Sequence, residues 1–126
     1  MNGYEPQKLV EKPWGKEEWI ELTDKYCLKK ITIFAGCKTS LQYHIKKSET
    51  IYFLSGKALV SFREARSILS SVTDLYTAGP GYILRINPYD IHRIEAIDED
   101  VVVMEASTIE VDDVVRLEDS YGRKGT

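Results

Sequence analysis

The chain contains two histidines, His44 and His92. His44 closes the run Gln42-Tyr43-His44, and in extended backbone Gln42 and His44 share a face because side chains alternate with a period of two. Ile45 to Ser48 then have the length of a turn before Glu49. A hairpin of that form brings an amide oxygen, an imidazole and a carboxylate to one point. Those donors suit a borderline or hard divalent ion such as Zn, Mn, Fe, Co or Ni. A fourth ligand is wanted, and His92 follows the turn-forming Asn87-Pro88 at the next strand boundary. Three or four protein ligands leave positions open for water or substrate, as a catalytic ion requires.

Two other residues interrupt apolar patterns. In Leu28–Phe34, Lys29 is in phase with Ile31 and Ile33, and Glu105 is in phase with Val101 and Val103. A charged group on such a face either snorkels at a rim or points into a polar cavity, and the pattern admits both. Cys27 and Cys37 have no CxxC spacing and no Cys or His partners nearby, so they read as packed, reduced thiols rather than a bridge or a metal site.

The elements that would carry these residues are strands. Trp19–Leu22, Leu28–Phe34, Ser40–His44, Ile51–Leu54, Ala58–Phe62, Tyr82–Ile86 and Val101–Glu105 are short runs of β-branched, aromatic and aliphatic residues. Turn signals at Ala35-Gly36, Ser55-Gly56, Gly79-Pro80-Gly81, Asn87-Pro88 and Asp98–Asp100 separate them. Many short strands with Gly turns favour a sandwich or barrel over a parallel α/β sheet. Two helical candidates remain, Arg63–Leu69 and Glu110–Glu118.

At 126 residues the chain has the length of one domain, and 43% apolar with 29% charged residues excludes a disordered or low-complexity class. The net charge of −3 disfavours a nucleic-acid partner. No unbroken apolar run exceeds that of Val101–Met104, so no membrane helix is expected. Met1-Asn2-Gly3-Tyr4-Glu5 does not read as a signal peptide, and the expected location is cytoplasmic.

The spacing Gly36, five residues, Gln42-Tyr43-His44, four residues, Glu49, six residues, Gly56 resembles the first cupin motif with Gln in place of its first His. Gly81, five residues, Asn87 and then His92 resembles the second, with Asn87 and Tyr89 where the family usually has Pro and Gly. More closely, the chain resembles the cupin domain of type II mannose-6-phosphate isomerases. The matching stretches are Lys12-Pro13-Trp14-Gly15, Leu28-Lys29-Lys30-Ile31, Ser40-Leu41-Gln42, His92-Arg93 and the run from Asp112 to Arg123, in the family's order. The resemblance implies an all-β, single-domain cupin over residues 1–126, a double-stranded β-helix or jelly-roll barrel with its core at about 10–107 and a tail over 108–126. It implies one divalent metal ion on Gln42, His44, Glu49 and His92. Beside that site the chain departs from the family: Ile45, Lys46 and Lys47 follow the first His, and Thr50-Ile51 follow the Glu.

The activity the resemblance implies is aldose–ketose isomerisation of a sugar phosphate of the mannose 6-phosphate/fructose 6-phosphate type. Such a reaction needs a base to move a proton between C1 and C2, for which Glu105 and Lys29 are the candidates. Arg123 resembles an arginine the family uses near substrate. Lys46 and Lys47 are available for the phosphate, or form a solvated turn. The alternatives are a non-catalytic sugar-phosphate or nucleotide-sugar binding cupin and a metal-dependent cupin oxygenase, for which His44, Glu49 and His92 would supply the triad. By analogy the chain is expected to be a homodimer, with a separate nucleotidyltransferase as a further partner.

Overall fold

A computed structural model of the protein describes residues 3–65 and 73–123. Eleven strands account for its regular structure: β1 (Lys8–Lys12), β2 (Gly15–Leu22), β3 (Cys27–Ile33), β4 (Leu41–Tyr43), β5 (Glu49–Ser55), β6 (Ala58–Arg63), β7 (Asp74–Ala78), β8 (Ile83–Ile86), β9 (Ile91–Ala96), β10 (Val101–Ser107) and β11 (Val115–Glu118). They form a six-stranded sheet in the order β1-β2-β3-β10-β5-β8 and a five-stranded sheet in the order β11-β4-β9-β6-β7. Every pairing is antiparallel. No helix occurs among the described residues, and none is long and apolar enough to cross a membrane.

Alternation decides what lies between the sheets. On β3, Cys27, Lys29, Ile31 and Ile33 are buried, and on β10 Val101, Val103, Glu105 and Ser107 are. Their register places Ile33 opposite Val101, Ile31 opposite Val103 and Lys29 opposite Glu105. The inward row therefore changes from apolar to charged along the strands. Phe53, Ile33, Val60 and Val101 fill the apolar end, where burial of each large side chain contributes about 1.5–3 kcal/mol. The polar end is where the site lies.

Three chain segments cross between the sheets at that polar end: 44–48, 87–90 and 108–114. They are tied to one another. Tyr89 N–H donates to His44 O at 2.7 Å, and Thr108 N–H donates to Ser48 O at 3.0 Å. At the other end, Gly56 turns β5 into β6 with φ +84°, and a Cβ there would sit 2.2 Å from Asp100 O. Only glycine fits such a turn.

Two sequence expectations need correction. β4 and β5 do not form a hairpin: they belong to different sheets, and residues 44–48 cross the end of the barrel between them. Glu110–Glu118 is not a helix. Its first half is a turn, and Val115–Glu118 pairs with β4, placing Val115 opposite Tyr43 and Arg116 opposite Gln42. The Asp113 side chain accepts hydrogen bonds from residues 45–47 instead of capping a helix. Of the Arg63–Leu69 candidate, Arg63 ends β6, and residues 66–69 lie outside the described residues.

Candidate metal centre

His44 leaves the end of β4, Glu49 opens β5, and His92 is the second residue of β9. All three are buried, and their ligand atoms lie within 4.8 Å of one another. His44 Nε2 and His92 Nε2 both face Glu49 Oε1, at 3.2 and 3.3 Å. The other ring nitrogens are engaged by main-chain carbonyls: His44 Nδ1 donates to Asp113 O at 2.6 Å and His92 Nδ1 to Asp90 O at 3.0 Å.

This arrangement fits a cation. A carbonyl can only accept, so each Nδ1 carries the hydrogen, and a neutral ring then turns the Nε2 lone pair towards the site. Two lone pairs aimed at one carboxylate oxygen repel unless a proton or a metal ion lies between them. A carbonyl behind each ligand histidine is also the usual way a metal site fixes its rings. Burial pushes the Glu49 carboxyl up, but when protons rather than a metal ion stand between it and the two Nε2 atoms, hydrogen bonds from His44 and His92 and the charge of Lys47 outweigh burial and hold the group well below the ordinary carboxylate range. Gln42 stands opposite His92 in the β4–β9 pair and lines the same cavity; its Oε1 accepts from Ser40 Oγ at 2.6 Å, which leaves that oxygen one lone pair.

The cavity measures about 140 Å³ and is also lined by Lys29, Lys47 and Glu105. Lys47 is buried, its Nζ 3.1 Å from Glu49 Oε2 and 3.3 Å from Glu105 Oε2. One ammonium thus faces two carboxylates. Burial, together with the charge of Glu49, raises the Glu105 carboxyl to about 8, against the opposing pull of Lys47. For Lys47 burial works against the charged form, but Glu105 and Glu49 prevail and raise the amine. Lys29 turns inward as well, its Nζ 3.4 Å from Glu17 Oε1 and 4.4 Å from the centre of the Trp19 ring. An ion pair under an aromatic face holds a hydrogen-bond donor in place.

Arg123 lines the cavity from the tail, and Asp119 holds it by three contacts: Nε to Oδ2 at 2.9 Å, Nη2 to Oδ1 at 2.9 Å and its main-chain N–H to Oδ2 at 2.7 Å. Lys46 does not join this group. Its side chain is exposed and lies outside the cavity lining, because the turn that buries Lys47 points the preceding residue to solvent. Both cysteines are free thiols; Cys27 is buried and Cys37 packs against the core.

Sequence reasoning missed Lys12, Glu17, Trp19 and Arg116, all of which line the cavity. Glu17 was within reach: it is two residues before Trp19, in phase with it, on a strand that starts at Gly15 rather than Trp19. Trp19 Nε1 donates to Glu17 Oε1 at 2.9 Å. Burial lowers the Lys12 amine; Glu17 opposes this, while Lys29, Arg123 and Arg116 add to the lowering.

Residues 2–119 match the family described as mannose-6-phosphate isomerase, C-terminal. The chain belongs to that family. Among curated relatives it is 34% identical over 115 residues to the mannose-1-phosphate guanylyltransferase ManC of Salmonella typhimurium, which covers 90% of this chain and 23% of that protein. The chain thus spans about a quarter of the length of the curated relatives it matches. Among solved structures, the capsular polysaccharide assembling protein CapF of Staphylococcus aureus superposes with a TM-score of 0.75 at 19% identity, over 92% of this chain and 33% of that one. A Klebsiella pneumoniae protein described as having a double-stranded β-helix domain gives 0.67 at 13% identity, over 87% and 90%. At these identities the likeness establishes the fold. The isomerase C-terminal family member is an all-β cupin, a double-stranded β-helix.

Proposed function

We propose that the chain is a metal-dependent aldose–ketose isomerase acting on a sugar phosphate of the mannose 6-phosphate/fructose 6-phosphate type. The observation that carries this reading is one shared cavity holding both the His44–Glu49–His92 group and the Lys47–Glu105 pair, in a chain of this family. His44, Glu49 and His92, with Gln42 beside them, would hold a divalent ion. When bound, that ion supplies a Lewis acid that polarises the sugar carbonyl.

The remaining roles fall to the chain's own groups. Glu105 takes the proton from C2 and returns it at C1, while a proton passes from the C2 oxygen to the C1 oxygen, so the sugar is neither oxidised nor reduced overall. Lys47, fixed between Glu49 and Glu105, holds the base in place and donates to substrate oxygen. Lys29 donates a hydrogen bond from the opposite strand. Lys12, Arg116 and Arg123 line the same cavity and bring the positive charge a phosphate needs.

The test is NMR of candidate sugar phosphates in deuterated buffer with protein and added Mn, Co, Ni or Zn. Deuterium entering at C1 or C2 supports the isomerase. Binding without exchange under every metal overturns it in favour of the second reading, a sugar-phosphate-binding module working beside a nucleotidyltransferase, which the name of the guanylyltransferase relative favours. Oxygen uptake overturns both.

A further inference from the structure

The segment that follows β10 returns across the polar end of the barrel and sets Asp113 against the turn joining His44 to Glu49. Asp113 Oδ1 accepts from the main-chain N–H of Ile45 at 3.0 Å, and Oδ2 accepts from those of Lys46 and Lys47 at 2.6 and 2.9 Å. Its own main-chain oxygen accepts from His44 Nδ1 at 2.6 Å. One residue of the tail therefore holds four consecutive residues, 44 to 47, through two separate groups.

Each group acts on a different part of the site. The main-chain oxygen fixes the tautomer and tilt of the His44 ring, so that Nε2 faces Glu49 Oε1 at 3.2 Å. The carboxylate collects three successive N–H groups, a charge-assisted set that fixes the backbone of the turn. From that backbone Lys47 turns inward to reach Glu49 and Glu105 while Lys46 turns out. Without the carboxylate, three N–H groups lose their acceptor and the residues on either side of the turn, His44 and Glu49, lose their fixed separation.

We infer that Asp113 is a positioning residue for the metal centre, setting metal affinity through the turn 45–47 and the His44 ring although it is not itself a ligand. The inference rests on His44, Glu49 and His92 being the ligands. It makes the tail a working part of the site, not only a covering strand.

The experiment measures Zn2+ affinity by competition with a chromophoric chelator, and the visible absorption of the Co2+-loaded protein, for the full chain and for Asp113→Ala and Asp113→Asn. Asp113→Ala removes the carboxylate and keeps the main-chain oxygen; Asp113→Asn keeps the shape and one acceptor oxygen. Zn2+ affinity should fall by about 10- to 100-fold in the alanine variant, the range for losing a group that orients a ligand, and by less in the asparagine variant. The Co2+ bands should shift in position and intensity. A merely structural role would lower the Tm of the metal-free protein and leave the Zn2+-induced rise in Tm unchanged; a positioning role shrinks that rise. Wild-type affinity, wild-type Co2+ bands and a full Zn2+-induced rise in the variants would overturn the inference. If Asp113→Ala does not fold, Asp113→Asn decides by the same criteria. Failure of the unaltered protein to take up Zn2+ or Co2+ overturns the ligand assignment and the inference with it, and is seen before any variant is made.

Discussion

Glu105 stands directly opposite Lys29 in the β3–β10 pair, and both side chains turn inward, yet they pair with different partners. Lys29 goes to Glu17 and Glu105 goes to Lys47. The two charged groups that break the apolar alternation thus belong to two separate ion pairs lining one cavity.

The first prediction concerns Glu105. Glu105→Gln keeps the shape of the side chain and an acceptor for Lys47 but removes the base. Deuterium exchange at C2 of the substrate should fall by about 10²–10⁴-fold, the usual contribution of a positioned general base. Sugar-phosphate affinity by calorimetry should change little. Exchange at the wild-type rate would take the base role away from Glu105.

Lys29→Met should behave differently, because it strips the buried Glu17 of its ion-pair partner. Affinity for the sugar phosphate should weaken by about 1.5–3 kcal/mol, the scale for a hydrogen bond to a charged group. Stability should drop as well, since Glu17 is left buried without its ion-pair partner. Adding Glu17→Gln should restore the Tm without restoring affinity, and metal content should be unchanged in both variants. Recovery of affinity in the double variant would show that Lys29 acts only through packing.

The metal assignment predicts one divalent ion per chain, held less tightly as pH falls because imidazole must lose its Nε2 proton to ligate. Elemental analysis of the His44→Ala/His92→Ala double variant should find no stoichiometric metal in a folded protein. The apolar end of the barrel contains neither residue, so circular dichroism should remain that of a β-protein. Unchanged metal content would end the assignment.

The residues proposed to carry this chemistry were legible because charge in an apolar phase and donor types at fixed spacing are local signals. Lys29, Glu105, His44 and His92 are all visible that way. The long apolar strands were legible for the same reason. β9 was not, because its inward set is His92, Ile94 and Ala96 while Ile91 points outward, so a histidine occupies a core phase. β1 and β7 are edge strands with few buried residues, and β11 is specified by its pairing with β4 rather than by its own pattern. Spacing alone suggested a hairpin between His44 and Glu49, but four residues can equally cross between sheets, and a partner strand for each side decides which. Tyr89 shows the same limit. It takes φ 70°, a left-handed conformation, where the family pattern has Gly, and stacking on Tyr43 with ring centres 5.6 Å apart accompanies it. Asp113 falls within the matching run Asp112 to Arg123, but its contacts could not be read from it because its partners are main-chain N–H groups, which leave no trace in residue type.

The last prediction concerns the clasp that holds Arg123. Hydrogen bonds from the Arg123 side chain outweigh burial and, with its main-chain N–H and its charge, lower the Asp119 carboxyl to about 2. A carboxylate whose folded value is depressed binds protons more readily in the opened state. Its contribution is therefore present at all pH values above the ordinary aspartate range, near 4, and is lost as pH falls from there towards 2. The tail should stay clasped at pH 5 to 8 and open selectively below about pH 4. Hydrogen exchange at the Arg123 amide, which donates to Asp119 Oδ2 at 2.7 Å, reports this directly. Relative to the β10 amides, its protection should be constant from pH 8 to 5 once intrinsic exchange rates are divided out, and should fall in acid. Asp119→Asn should remove most of that protection at pH 7 and abolish its acid dependence, leaving His44, Glu49 and His92 untouched. Protection at Arg123 that is equal in both proteins at pH 7 would show that packing of Tyr121 against the core, rather than the Asp119 clasp, holds the tail.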